Sequence, residues 1–114
     1  MGADLIILDP ALSVTTPAQI WLSTGIRSVD HCVEGLCSLD SNVSAESDAA
    51  FTRGLQLLIP NLLATKKNWG GEEPRLKEMM GVVEAMKGLG SGSTASKYFA
   101  DNHAFGSFIE SQTP

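Results

Sequence analysis

The chain predicts a mainly α-helical fold, and three observations carry that prediction. Three stretches open on helix-starting residues and then repeat apolar side chains at helical spacing. Acidic residues lead two of them and a lysine pair closes one, the charge order that suits the helix dipole. A single short run, Leu5-Ile6-Ile7-Leu8, has the β-branched centre of a buried strand, and no second strand pattern offers it a ladder partner.

Composition bounds the rest. A chain of 114 residues, 43% hydrophobic and 18% charged, makes at most one domain with one modest core. Its net charge is -5 and its lysines and arginines are scattered, so it has no basic patch to neutralise phosphates and nucleic acid is not expected as a partner. The longest apolar runs, Leu5 to Leu8 and Leu57 to Ile59, are far too short to span a bilayer, and no membrane partner is expected. Met1-Gly2-Ala3-Asp4 lacks the basic start of a secretory signal. The default expectation is an intracellular, cytoplasmic address, with a mitochondrial one left open for an intact protein. Cys32 and Cys37, five apart on one predicted helix, have Cα atoms about 8 Å apart, beyond disulfide reach, and read as small core residues.

Taken in order, the strand is placed at about 4–8, closed by Asp9-Pro10. Thr16 as N-cap and Pro17 at the first helical position start a helix over about 17–39. Leu22, Ile26, Val29, Val33 and Leu36 form its expected inner face, and Gly25 and Gly35 read as points of close packing. Ser44 caps a second helix over about 44–65, with Glu46 and Asp48 in its first turn and Phe51, Leu55, Leu58 and Leu62 buried. Pro60 falls inside that pattern, and a kink is expected there because the ring removes one backbone bond and crowds residue 56. Glu72-Glu73-Pro74 opens a third helix over about 73–89, with Leu76, Met79, Met80, Val83 and Met86 as its inner face and Gly88 to Gly92 as its end. Beyond it the periodicity fades, and spacing allows a short fourth helix near 94–108.

Chemistry concentrates in Thr24 to Ser38. Arg27, His31 and Glu34 follow one another by four and three residues, so a helix projects them from one flank. His31 and Glu34 together offer an imidazole nitrogen and a carboxylate oxygen to a divalent cation, but two ligands are not a site, and such a pair is more often a helix-surface hydrogen bond. The second histidine is His103, near the C-terminus. Gly88-Leu89-Gly90-Ser91-Gly92 follows a helix rather than a strand and has no Lys-Ser/Thr after it, so it reads as a helix end and turn, not a phosphate loop.

Asp9-Pro10, Thr16-Pro17 and then Thr24-Gly25-Ile26-Arg27-Ser28-Val29-Asp30-His31-Cys32-Val33-Glu34-Gly35 resemble the start of the helical domain of iron-containing alcohol dehydrogenases. The branch of maleylacetate reductases and fungal relatives is the most similar in character. The pattern there is Asp-Pro, a Pro-led helix, then Gly-Met-Asp/Asn-Ala-x-x-His-Ala-x-Glu-Ala. The resemblance covers roughly residues 4–92 and implies the opening of a dehydroquinate synthase-like helical domain over 1–92, with 93–114 a non-matching tail. In metal-dependent members it implies an iron or zinc ion held by one Asp and three His, the first His falling on His31 and the Asp on Arg27. Arginine has no lone pair to give and adds a repelling cation, which weakens that expectation.

Two readings of Arg27 stay open: a guanidinium that holds a substrate carboxylate beside His31, or an arginine salt-bridged to a neighbouring domain. Asn102-His103-Ala104-Phe105-Gly106-Ser107 echoes the family's His-x-x-Gly-His faintly, with Ser107 where the second His belongs, so His103 is a second candidate metal ligand.

The resemblance therefore implies a fragment of an NAD(P)-dependent oxidoreductase acting on a small carbonyl or alcohol substrate, lacking the nucleotide-binding lobe. The chain alone is expected to be inactive and to hold no cofactor. The alternative is a non-enzymatic helical remnant or interaction module that self-associates through exposed apolar surface. A further alternative is a metal-binding domain built from His31, Glu34 and His103.

Overall fold

The computed structural model describes residues 4–38 and 44–91, and within them the chain is helical as expected. Four helices follow in order: α1 (Pro10–Ser13), α2 (Ala18–Leu36), α3 (Ala45–Lys67) and α4 (Glu72–Ser91). The helix expected near 94–108, together with His103, lies outside the described residues.

The expected strand at 4–8 does not form: no strand occurs among the described residues, and Leu5, Ile6 and Ile7 are 59% or more exposed. Asp9-Pro10, read as a strand terminator, is instead a helix start. The Asp9 carboxylate accepts the Leu12 amide at 3.1 Å, and Pro10 takes the first helical position, where its missing N–H leaves nothing unsatisfied. The turn running out of α1 also moves the start of α2. Thr15 and Thr16 donate their amides back to Leu12 and Ser13, which leaves extended Pro17, not Thr16, at the N-cap position of α2.

Helix α3 matches its sequence. Ser44 caps it by accepting the Ser47 amide at 3.0 Å, Glu46 and Asp48 sit in the first turn, and Lys66 and Lys67 sit in the last. Phe51, Leu58 and Leu62 are buried and Leu55 packs against them. The helix continues through Pro60, and the Asn61 side-chain amide donates to the Leu57 carbonyl at 2.6 Å one turn back.

The packing makes an up-down-up arrangement. Phe51 and Ser47 of α3 meet Gly88 of α4, Gly54 meets Gly81, and Thr65 meets Glu78, so α3 and α4 run antiparallel as a helical hairpin. Gly25 of α2 faces Leu62, Cys32 faces Gly54 and Gly35 faces Phe51, so α2 is antiparallel to α3. Gly25 and Gly35 are points of close approach, as read from sequence. Cys32, Phe51, Leu58, Leu62 and Ala85 form the core, with Leu22, Val29, Leu36, Leu55 and Leu89 packed around it.

Two inner faces differ from expectation. On α2, Leu22, Val29 and Leu36 turn inward, but Ile26 and Val33 are exposed and Cys32 takes the inner place. Cys37, read as a core residue, is exposed. On α4 the expected inner stripe is displaced: Leu76, Met80 and Met86 are exposed, while Arg75, Glu78, Gly81, Ala85 and Gly88 face the bundle. The reason is steric. Glycines at 54, 81 and 88 let α3 and α4 approach closely, and that face of α4 is the one with room for a neighbouring backbone. For the same reason Gly88 and Gly90 lie within α4 rather than ending it, since Gly88 faces the Phe51 ring.

A methyl group at Gly81 would lie 2.7 Å from the Leu58 side chain and 3.2 Å from the Gly54 carbonyl. Overpacking of this kind costs about 1–3 kcal/mol, against about 1 kcal/mol gained in helix propensity. Gly81→Ala is therefore expected to lower the urea midpoint of unfolding without changing the slope of the transition.

Candidate functional site

Helix α2 carries the residues singled out for chemistry. By helical geometry Gly25, Val29, Cys32 and Leu36 lie on the side that meets α3, and Arg27, His31 and Glu34 lie on the opposite side. All three are nevertheless half-buried, and His31 Nδ1 is enclosed by protein. The flank thus joins a cation, an imidazole and a carboxylate within about two helical turns. Burial on the other side of α2 raises the Cys32 thiol to about 11, which makes it an inert core group rather than a nucleophile.

The flank does not fit a metal ion. Among the described residues no three His, Cys, Asp or Glu side chains gather closely enough to hold one. His31 and Glu34 supply at most two donors, and the Arg27 cation on the same flank works against a divalent ion. His103, the other candidate ligand, lies outside the described residues.

A second polar constellation escaped the sequence reading altogether. Arg75 is fully buried and Glu78 is 3% exposed, one turn apart at the start of α4. The Arg75 guanidinium donates to the Trp69 carbonyl at 2.8 and 3.0 Å and to the Ser13 carbonyl at 3.1 Å. It also lies over the Trp69 and Trp21 rings, 4.0 and 4.9 Å from their centroids. Glu78 accepts the Trp21 indole N–H at 2.6 Å and the Thr65 hydroxyl. Burial pushes the Glu78 carboxyl up, against the opposing pull of the Thr65 and Trp21 hydrogen bonds and the Arg75 charge.

Arg75 had a signal: it precedes Leu76 in the first turn of α4, where a cation opposes the helix dipole, so its placement needs another cause. Trp21 begins about 9 Å along α2 from Arg27, so the cluster is separate from the Arg27–His31 flank.

Comparison with known proteins gives this geometry its setting. The chain is similar to a dehydrogenase of Alternaria alternata, 37% identical over 106 residues, covering 82% of this chain and 28% of that protein. It is similar to a long-chain-alcohol dehydrogenase of Geobacillus thermodenitrificans, 31% identical over 74 residues, covering 65% of this chain and 18% of that protein. It is also similar to a maleylacetate reductase of Sphingobium indicum, 30% identical over 59 residues, covering 47% and 17%. No protein-family model matches the chain, and no solved structure matches it. The chain spans 17–28% of the length of these three relatives. Its relatives are dehydrogenases and reductases, in accord with the resemblance to iron-containing alcohol dehydrogenases carried by residues 9–36.

The buried cluster also makes a stability prediction. Arg75→Met keeps the apolar stem but leaves the Ser13 and Trp69 carbonyls without the guanidinium, each at about 1–3 kcal/mol. A loss of at least that size in chemical denaturation is expected, and Arg75→Lys should recover only part of it, because one ammonium cannot fork to two carbonyls and stack on two rings.

Proposed function

We propose that this chain is part of the helical domain of an NAD(P)-dependent dehydrogenase, residues 1–92 carrying the domain and 93–114 a distinct tail. The observation that supports this best is the 37% identity over 106 residues, together with a half-buried Arg27–His31 flank on the side of α2 turned away from the bundle. In an intact relative that flank is the wall of a substrate cleft. Arg27 holds an anionic group of a small carbonyl or alcohol substrate through paired N–H donors, and His31 lies one turn along as a second polar contact. NAD(P) supplies hydride chemistry when bound. No step is assigned to iron or zinc, because the described donors do not fit either ion.

The chain alone is proposed to be inactive, since Arg27 and His31 make a binding wall without a hydride donor. A steady-state assay with NADH or NADPH and a panel of ketones and maleylacetate is expected to show no turnover above a heat-killed control. Robust turnover would overturn the proposal. The protein should also purify without stoichiometric iron or zinc, as read by elemental analysis.

A second reading is favoured by the apolar side chains that the bundle leaves outside. Leu76, Met80 and Met86 on α4, Ile59 and Leu63 on α3, and Ile26 and Val33 on α2 are all exposed. Exposed apolar surface of this kind is the mark of an interaction module. Under this reading the chain binds a hydrophobic reporter dye strongly and its sedimentation coefficient rises with concentration. A monomer with low dye binding would count against it.

A further inference from the structure

Glu78 is a buried titratable group that the dehydrogenase reading does not use, and its surroundings are unusual. Its two hydrogen-bond donors, the Trp21 indole on α2 and the Thr65 hydroxyl on α3, are both neutral. The charged group that acts on it is Arg75, on its own helix. The guanidinium is already committed to the Trp69 and Ser13 carbonyls. Among the described residues, the cluster receives the neutral Ser13 from α1, and α2 and α3 contribute Trp21 and Thr65. An ionised carboxylate here is enclosed in protein without a dedicated ion-pair partner among the described residues, which is costly, whereas the carboxylic acid is readily accommodated.

We propose that Glu78 is a proton-operated latch that seats the first turns of α2 on the α3–α4 hairpin. In the latched form the carboxyl is protonated: one oxygen accepts the Trp21 N–H, and the other shares a hydrogen bond with the Thr65 hydroxyl. Loss of the proton leaves a buried anion, and water must reach it by loosening Trp21 and with it the start of α2. The direction follows from linkage. The folded chain holds this proton above the range of an unfolded glutamate, so the latch is complete at low pH. Stability then falls as pH rises through the interval between the unfolded and folded ionisations, and levels off above it.

Both tryptophans of the chain lie on this cluster, so their fluorescence reads the latch directly. Emission of the folded wild-type chain is expected to shift to longer wavelength in one step as pH rises above the ordinary glutamate range. Glu78→Gln should remove the step, because its amide satisfies Trp21 and Thr65 at every pH. Thr65→Val should move the step to higher pH, since the lost hydroxyl had favoured the anion. A step that persists in Glu78→Gln has another origin and overturns the proposal. So does a wild-type chain with no step while circular dichroism shows it folded. If Glu78→Gln does not fold, carboxyl NMR of the wild-type chain decides. One glutamate titrating above the others upholds the latch, and all titrating together overturns it.

Discussion

The structure depends on where one cation goes. Arg75 stands at the start of a helix, where the dipole disfavours it, and it is fully buried. It is held there because its planar fork fits two backbone carbonyls from distant parts of the chain, Ser13 at the end of α1 and Trp69 in the α3–α4 loop. Stacking on Trp69 and Trp21 replaces part of the lost hydration and brings in α2. A single side chain thereby ties α1, α2 and the α3–α4 loop to α4 at one end of the described bundle. At the other end small residues, the Phe51 ring and the buried hydrogen bond from the Ser47 hydroxyl to the Gly88 carbonyl do the joining.

That division explains what could be read from the sequence. Helix α3 was legible because its local and tertiary signals agree: the Ser44 cap, the acidic first turn, the lysines at the close and an apolar stripe that is the buried one. Helix α4 was legible as a helix but not in its orientation. Periodicity points at Leu76, Met80 and Met86, and the packing chose Gly81, Ala85 and Gly88, because close approach of two backbones rewards the absence of a side chain. No count of apolar residues sees that preference. The run Leu5 to Leu8 failed for a related reason, since a β-branched segment becomes a strand only beside another strand. Asp9-Pro10 is the one miss that local rules could have avoided, because it satisfies the same cap-and-proline rule that was applied seven residues later.

The candidate site divides in the same way. Arg27, His31 and Glu34 were found by spacing, and the structure keeps them on one flank of α2, since helical periodicity alone dictates that. The Arg75–Glu78 cluster joins residues 13, 21, 65, 69, 75 and 78, and only tertiary packing brings them together. Nothing in the local sequence around Thr65 or Ser13 announces a buried hydrogen bond.

The two clusters are also connected through α2. Trp21 anchors its first turns to the hairpin through Glu78, and Gly25 and Gly35 set its distance from α3 further along. Arg27 and His31 project from the opposite side, so the course of the helix that carries them is set by contacts made on its other face. It follows that substitutions at Gly25, Gly35 or Trp21 should disturb the Arg27–His31 flank, because those three residues set how α2 lies on the hairpin.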